Sequence, residues 1–98
     1  MKRFFIHADA EAEFKAAVGY YESKLLGLGL DFVKEVENAY GVVRHDPRRF
    51  PFHKRTKLQR CPTHRFPYVI YFRDFTDHIS IVAVAHVKRR AEYWRQRD

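Results

Sequence analysis

Arg65-Phe66-Pro67-Tyr68-Val69-Ile70-Tyr71, followed by Val82-Ala83-Val84-Ala85-His86 and then Lys88-Arg89-Arg90-Ala91-Glu92-Tyr93-Trp94, is the stretch that decides how this chain is read. Its β-branched and aromatic residues predict two strands, over residues 66–73 and 79–87, turned by Asp74-Phe75-Thr76-Asp77-His78. The pair delivers a histidine, three consecutive cations and two aromatics to one end of a small sheet. In Ile79-Ser80-Ile81-Val82-Ala83-Val84-Ala85 both faces are apolar after Ser80, the pattern of a strand buried on two sides. That strand is expected in the centre.

Working back toward the N-terminus, the segment 48–64 has no clean period and contains Pro51 and Pro62. Phe50-Pro51-Phe52 reads as a loop anchor, and residues 54–60 as a polar strand. Before it, Phe32, Val33, Val36, Ala39, Tyr40 and Val43 form one apolar helical face, which Asp46-Pro47 ends. An earlier helix carries Phe14, Val18, Tyr21 and Leu25 at steps of four, three and four, with Asp9 expected as N-cap and Gly27 as the C′ stop. The short Gly27-Leu28-Gly29 link makes the two helices an antiparallel hairpin. Phe4, Phe5 and Ile6 begin the chain as a short strand. The fold class is therefore α+β, in the order β-α-α-β-β-β, with the helical hairpin on one side of a small, mainly antiparallel sheet and a basic C-terminal tail.

At 98 residues the chain is one domain, able to bury about 60–65% of its unfolded surface. Nine Phe and six Tyr argue for a packed core and against a disordered basic segment. A single Cys61 excludes an internal disulfide, the opening residues hold too short an apolar run for a signal peptide, and no run approaches a membrane span. A cytoplasmic location is expected. The net charge of +7 is unevenly placed: residues 1–43 carry −2 and residues 44–98 carry +9. So basic a half draws a polyanion or an acidic protein, although a solvated surface that keeps the protein soluble has the same composition.

The element order, together with Tyr20-Tyr21-Glu22, Gly27-Leu28-Gly29-Leu30 before Phe32, Pro47, Phe50-Pro51, Phe66-Pro67-Tyr68, Tyr71, Val84, His86, Arg89, Tyr93-Trp94 and Arg97, resembles the RelE/ParE superfamily of toxins from type II toxin–antitoxin systems, often labelled plasmid stabilisation proteins. The resemblance runs over nearly the whole chain. It departs at Ala91, where many relatives place a proline after the basic pair, and this leaves the tail freer to continue as a helix. The resemblance implies a cognate antitoxin that lays an acidic or amphipathic segment over the basic face. It also implies one of two targets. ParE-type members poison DNA gyrase, whereas RelE-type members are mRNA interferases that cut in the ribosomal A site without a metal. The helices and the Phe-Pro-Tyr strand look more like the ParE side. A third reading is an inactive module that keeps only its antitoxin or nucleic-acid binding.

Metal-free RNA cleavage needs a base for the ribose 2′-OH, cations for the phosphate and an acid for the leaving oxygen. His86, Arg65, Arg89 and Tyr93 are the residue types for those roles, and the family resemblance supports Arg65, His86 and Tyr93 in them. Lys54, Arg55, Lys57, Arg60, Lys88, Arg90, Trp94 and Arg97 would hold a target or nucleic-acid backbone by charge and stacking. Each has a structural alternative. His86 alternates with Val84 and Val82 and reads equally as a hydrogen-bonded core-edge residue; Tyr93 and Trp94 as a latch over the sheet; Arg65 as the partner of a helix carboxylate. The six histidines show no short ligand spacing and no glycine motif cradles phosphate, so neither a metal nor another cofactor is expected.

Overall fold

The computed structural model describes residues 2–90 and 92–97; the departure at Ala91 lies outside them. Strand β1 (Arg3–Ile6) turns Phe4 and Ile6 inward and leads directly into helix α1 (Ala8–Lys24). The cap of α1 differs from expectation. His7 occupies the N-cap and its Nδ1 accepts the backbone N–H of Asp9 at 3.0 Å, which places Asp9 in the first turn, where a carboxylate favours the helix dipole. At the other end the helix stops at Lys24. Leu25 is extended and 64% exposed, so the apolar face closes at Tyr21.

Gly27 is left-handed, with φ 89°, but it opens helix α2 (Leu28–His45) rather than ending α1. The Glu22 carboxylate of α1 accepts the N–H groups of Gly27 and Gly29 at 3.0–3.1 Å, so one helix caps the next. The hairpin is tight there. A Cβ on Gly29 would stand 2.8 Å from the carbonyl oxygen of Val18. Phe32, Val36 and Val43 of α2 are fully buried, Tyr40 meets Phe4 at 5.2 Å, and Pro47 begins a single 3-10 turn, Pro47–Arg49.

Three further strands follow: β2 (Gln59–Pro62), β3 (Tyr68–Asp74) and β4 (His78–His86). The sheet order is β1-β4-β3-β2, with β1 parallel to β4 and the other pairs antiparallel. β4 is central, and residues Ile79 and 81–85 are all buried. The strand expected over 54–60 begins instead at Gln59. Lys54 has φ 49°, outside the extended region, and the Thr56 hydroxyl donates to the His53 carbonyl while accepting the N–H of Leu58, which closes a turn. β3 likewise starts at Tyr68, after Pro67, and Phe66 drops into the core against Phe32 and Tyr21.

Two cores sandwich the sheet. The larger lies under the helices and contains Phe32, Val36, Ile70, Phe72, Ile79, Ile81 and Val84. The smaller, on Leu58, Val82, Ala83 and Trp94, includes part-buried Tyr71 and Tyr93. A bulge divides the alternation of β4: Tyr71 pairs with Ala83 but Phe72 with Ile81, so Val82 is the extra residue. Beyond it the strand turns Val84 toward the helices and carries His86 to the open end of the sheet.

Candidate functional site

β1 pairs with β4 only as far as Ile81, and the N–H of His7 donates to the Ile81 carbonyl at 2.9 Å. Past that point, side chains take over as partners of β4. Glu13 of α1 accepts the Val84 N–H at 3.0 Å through Oε1, and Arg97 donates to the Val82 carbonyl at 3.3 Å. Arg97 also pairs with Glu13 at 3.0 Å and with Asp9 at 3.5 Å. The Tyr93 hydroxyl donates to the other oxygen of Glu13 at 2.5 Å. One helix carboxylate thus holds the C-terminal segment against the central strand, satisfying backbone groups that a longer β1 would have paired.

This attachment brings the tail over the second core. Trp94 is 2% exposed, tilted against Tyr71 at 4.6 Å and edge-on to His53 at 5.3 Å. Of its two readings from the sequence, a stacking residue for a target or a latch over the sheet, this burial fits the latch: Tyr71 and His53 take up its surface, and it is a core residue. Tyr93 is half-buried, with the guanidinium carbons of Arg89 and Arg97 at 3.9 and 5.0 Å from its ring centre. Burial first, then the bond to Glu13 and its charge, push the Tyr93 hydroxyl well above its ordinary range against the pull of those arginines. Its proton is committed to Glu13.

Arg65 stands apart from this group. Its backbone N–H and that of Phe66 donate to Glu35 at 2.7 and 3.2 Å, and its guanidinium meets Asp31 at 3.1 Å, both carboxylates belonging to α2. It lies on the helical side of the molecule, away from the cavity described next. The four residues expected to work together therefore divide: His86, Arg89 and Tyr93 are neighbours, and Arg65 is elsewhere.

A cavity of about 160 Å³ opens between the tail and the face of the sheet that carries Tyr71. Besides Tyr71 and Tyr93, its charged and titratable walls are Arg60, His53, His86, Arg89, Arg90 and Glu92. Arg60 comes from β2 opposite Tyr71, and its Nε is buried without a hydrogen-bond partner among the described residues. His86, at the end of β4, packs edge-on to Tyr68 at 5.2 Å, and its Nδ1 accepts the N–H of Lys88 at 3.0 Å. A nitrogen that accepts carries no proton, so neutral His86 holds its own on Nε2. Glu92 is engaged by His53 and Lys54, each at 3.4 Å, and by Arg95 at 3.2 Å; these partners, His53 foremost, hold its carboxyl below the usual range. What remains is cationic. Such a cavity suits an oxyanion, which would supply the partner that Arg60 lacks.

The remaining expected residues lie around the rim. Lys88, Arg89 and Arg90 are exposed in the turn after β4, and Lys54, Arg55 and Lys57 are exposed in the turn before β2. Arg97 is withdrawn into its contacts with Glu13 and Asp9. Two contributors go unread in the sequence. His53 sits in the aperiodic segment with no local signal, and Glu13 reads as ordinary polar helix surface. Among the described residues no three His, Cys, Asp or Glu side chains gather to hold a metal ion, and no helix is long and apolar enough to cross a membrane.

No family model and no curated protein matches this chain. Among solved structures, a chain of the "Chromosomal ParDE TA system from P. aeruginosa" superposes with a TM-score of 0.74 over 88% of this chain and 96% of that one, at 17% identity. At that identity the likeness is one of fold. The RelE/ParE-like architecture expected from the sequence is the one observed.

Proposed function

We propose that the chain is the toxin of a type II toxin–antitoxin pair, a ParE-like growth inhibitor that acts on DNA gyrase in the cytoplasm and is neutralised by an acidic or amphipathic segment of its antitoxin. The observation that carries this reading is the near-complete superposition on a chain of a ParDE system. The charge distribution supports the partner. The basic cavity wall and the exposed cations of the two turns are complementary in charge to an acidic segment. Two placements favour a binding role over bond cleavage: Tyr93 has its proton held by Glu13, and Arg65 is occupied by α2. The reading calls for no cofactor.

A second reading, a RelE-like ribosome-dependent mRNA endonuclease, is favoured by one observation. His86 shares a cavity with Arg60 and Arg89, a titratable group beside cations suited to a phosphate. Expression of the chain alone in a bacterial host separates the readings. A ParE-like toxin stops growth, its purified form inhibits DNA supercoiling by gyrase, and no new mRNA 5′ ends appear. Growth arrest with cuts in codon register and dependent on translation would replace this reading with the ribonuclease. No arrest at all would leave an inactive antitoxin-binding or nucleic-acid-binding module.

A further inference from the structure

At the other end of β3 from the cavity lies a second, larger concavity, of whose walls only Lys57 enters the readings above. It is a groove of about 580 Å³, within the size range of ligand sites, bounded by Arg48, Phe52, Lys57, Arg73, Asp74 and Phe75. Phe52 is its most unusual wall. The ring is 59% exposed and makes no aromatic or cation contact among the described residues, whereas Phe75 is already stacked on His78 at 4.4 Å and covered by Arg73 at 4.4 Å. The single carboxylate of the groove, Asp74, is neutralised by Lys2, whose ammonium lies 2.5 Å from it and 2.8 Å from the Phe75 carbonyl. Arg48 and Lys57 are exposed and enter no ion pair among the described residues. An open aromatic face that shares a groove with two uncompensated cations is the combination that binds a base and its phosphate.

We infer that this groove binds one nucleotide of a single-stranded nucleic acid, the base stacking on Phe52 and the phosphate lying between Arg48 and Lys57. An acidic peptide would use the cations but would gain nothing from the bare ring. Duplex nucleic acid would also meet the cations and leave Phe52 idle, because its bases are already stacked. The groove shares no lining residue with the Arg60 cavity; Lys57 is also among the cations offered to the antitoxin, whereas Phe52 and Arg48 serve this groove alone.

The test is fluorescence anisotropy of a short labelled single-stranded oligonucleotide titrated with the full chain, from low to physiological salt. Phe52→Ala should weaken binding by about fivefold to about a hundredfold with the salt slope unchanged. Phe52→Tyr should retain affinity, which separates lost stacking from lost folding. Lys57→Gln and Arg48→Gln should each reduce the salt slope by about 0.7. A duplex of the same sequence should bind without sensitivity to Phe52→Ala. Wild-type affinity of Phe52→Ala for the single strand would overturn the inference. So would an equal effect of that substitution on a poly-glutamate peptide. Growth arrest is read independently, so failure of the toxin reading leaves this result standing.

Discussion

The hydroxyl of Tyr93 donates to the carboxylate of Glu13 at 2.5 Å, across eighty positions of sequence. The same carboxylate accepts the Val84 N–H and pairs with Arg97, so one side chain of α1 ties together the tail, the first helix and the central strand. Tyr93→Phe removes one charged hydrogen bond and should cost about 1.5–3 kcal/mol in urea denaturation, with an unchanged m value. Because the proposed function gives the hydroxyl no chemical role, growth arrest by Tyr93→Phe should persist. Loss of arrest in a variant that remains folded would turn attention back to catalysis.

Arg60 carries the opposite expectation. Its buried Nε has no partner among the described residues, and Arg60→Met keeps the stem while removing the orphaned donor. The variant should be more stable by about 1 kcal/mol in chemical denaturation and should lose growth arrest. Arg65→Ala is the contrasting control: its pair with Asp31 is 60% and 41% exposed, worth about 0.2–1 kcal/mol, and arrest should be retained. If Arg65→Ala were inactive and Arg60→Met active, the cavity would be the wrong site.

Two kinds of glycine predict opposite signs. Gly29→Ala places a methyl 2.8 Å from the Val18 carbonyl oxygen and should destabilise by about 1–3 kcal/mol. Gly19 and Gly41 sit within helices where an added methyl would meet nothing within 4 Å, so Gly19→Ala and Gly41→Ala should each stabilise by about 0.5–1 kcal/mol. Thermal melts of the three variants check the order; a Gly29→Ala that melts above wild type would contradict the close approach of the two helices.

Cys61 predicts a pH dependence. Burial pushes its thiol from 9.0 up to about 11, against the opposing charge of Arg49. The folded chain keeps this proton to higher pH than the unfolded chain, so the contribution is complete below pH 9.0 and is lost as the pH rises through about 11. Tyr40, raised chiefly by burial, and Tyr93 add losses of the same sign above pH 10.0. Tm measured against pH should therefore fall through this window, and Cys61→Ala should flatten its lower part. A Cys61→Ala profile parallel to wild type would assign the fall to the tyrosines.

Legibility follows how local each signal is. The run from Ile79 to Ala85 announces a central strand because burial on two faces is written in consecutive residues, and the apolar face of α2 is written in its period. Residues 54–60 carry no period, and what shapes them is the Thr56 hydroxyl closing a turn, so their composition alone starts β2 too early. The site is harder still. Arg65 leaves the expected group because Asp31 and Glu35, about thirty positions away, face it only after the helices dock on the sheet. Glu13 acquires its role because β1 is four residues long and leaves β4 unpaired, a fact about lengths rather than about any motif. His53 becomes a wall of the cavity only when Trp94 folds down on it.

The parallel pairing of β1 with β4 also bears on the order of assembly. Arg3 stands beside His78, so their contact closes a loop spanning most of the chain, whereas β3 and β4 are joined by a turn of three residues. Loop-closure entropy delays the first contact and favours the second as a nucleus. We expect the hairpin to form before the barrier and the attachment of β1 and the tail to follow it. In a chevron plot, substitutions at Glu13 and Arg97 would then accelerate unfolding and leave the refolding limb nearly unmoved, while Ile70→Val and Val84→Ala would slow refolding. The reverse assignment of limbs would show that the two ends meet early. With the expected order, resistance to forced opening resides in the contacts made last: the Glu13 attachment governs how long the folded molecule survives, and the hairpin governs how quickly it forms.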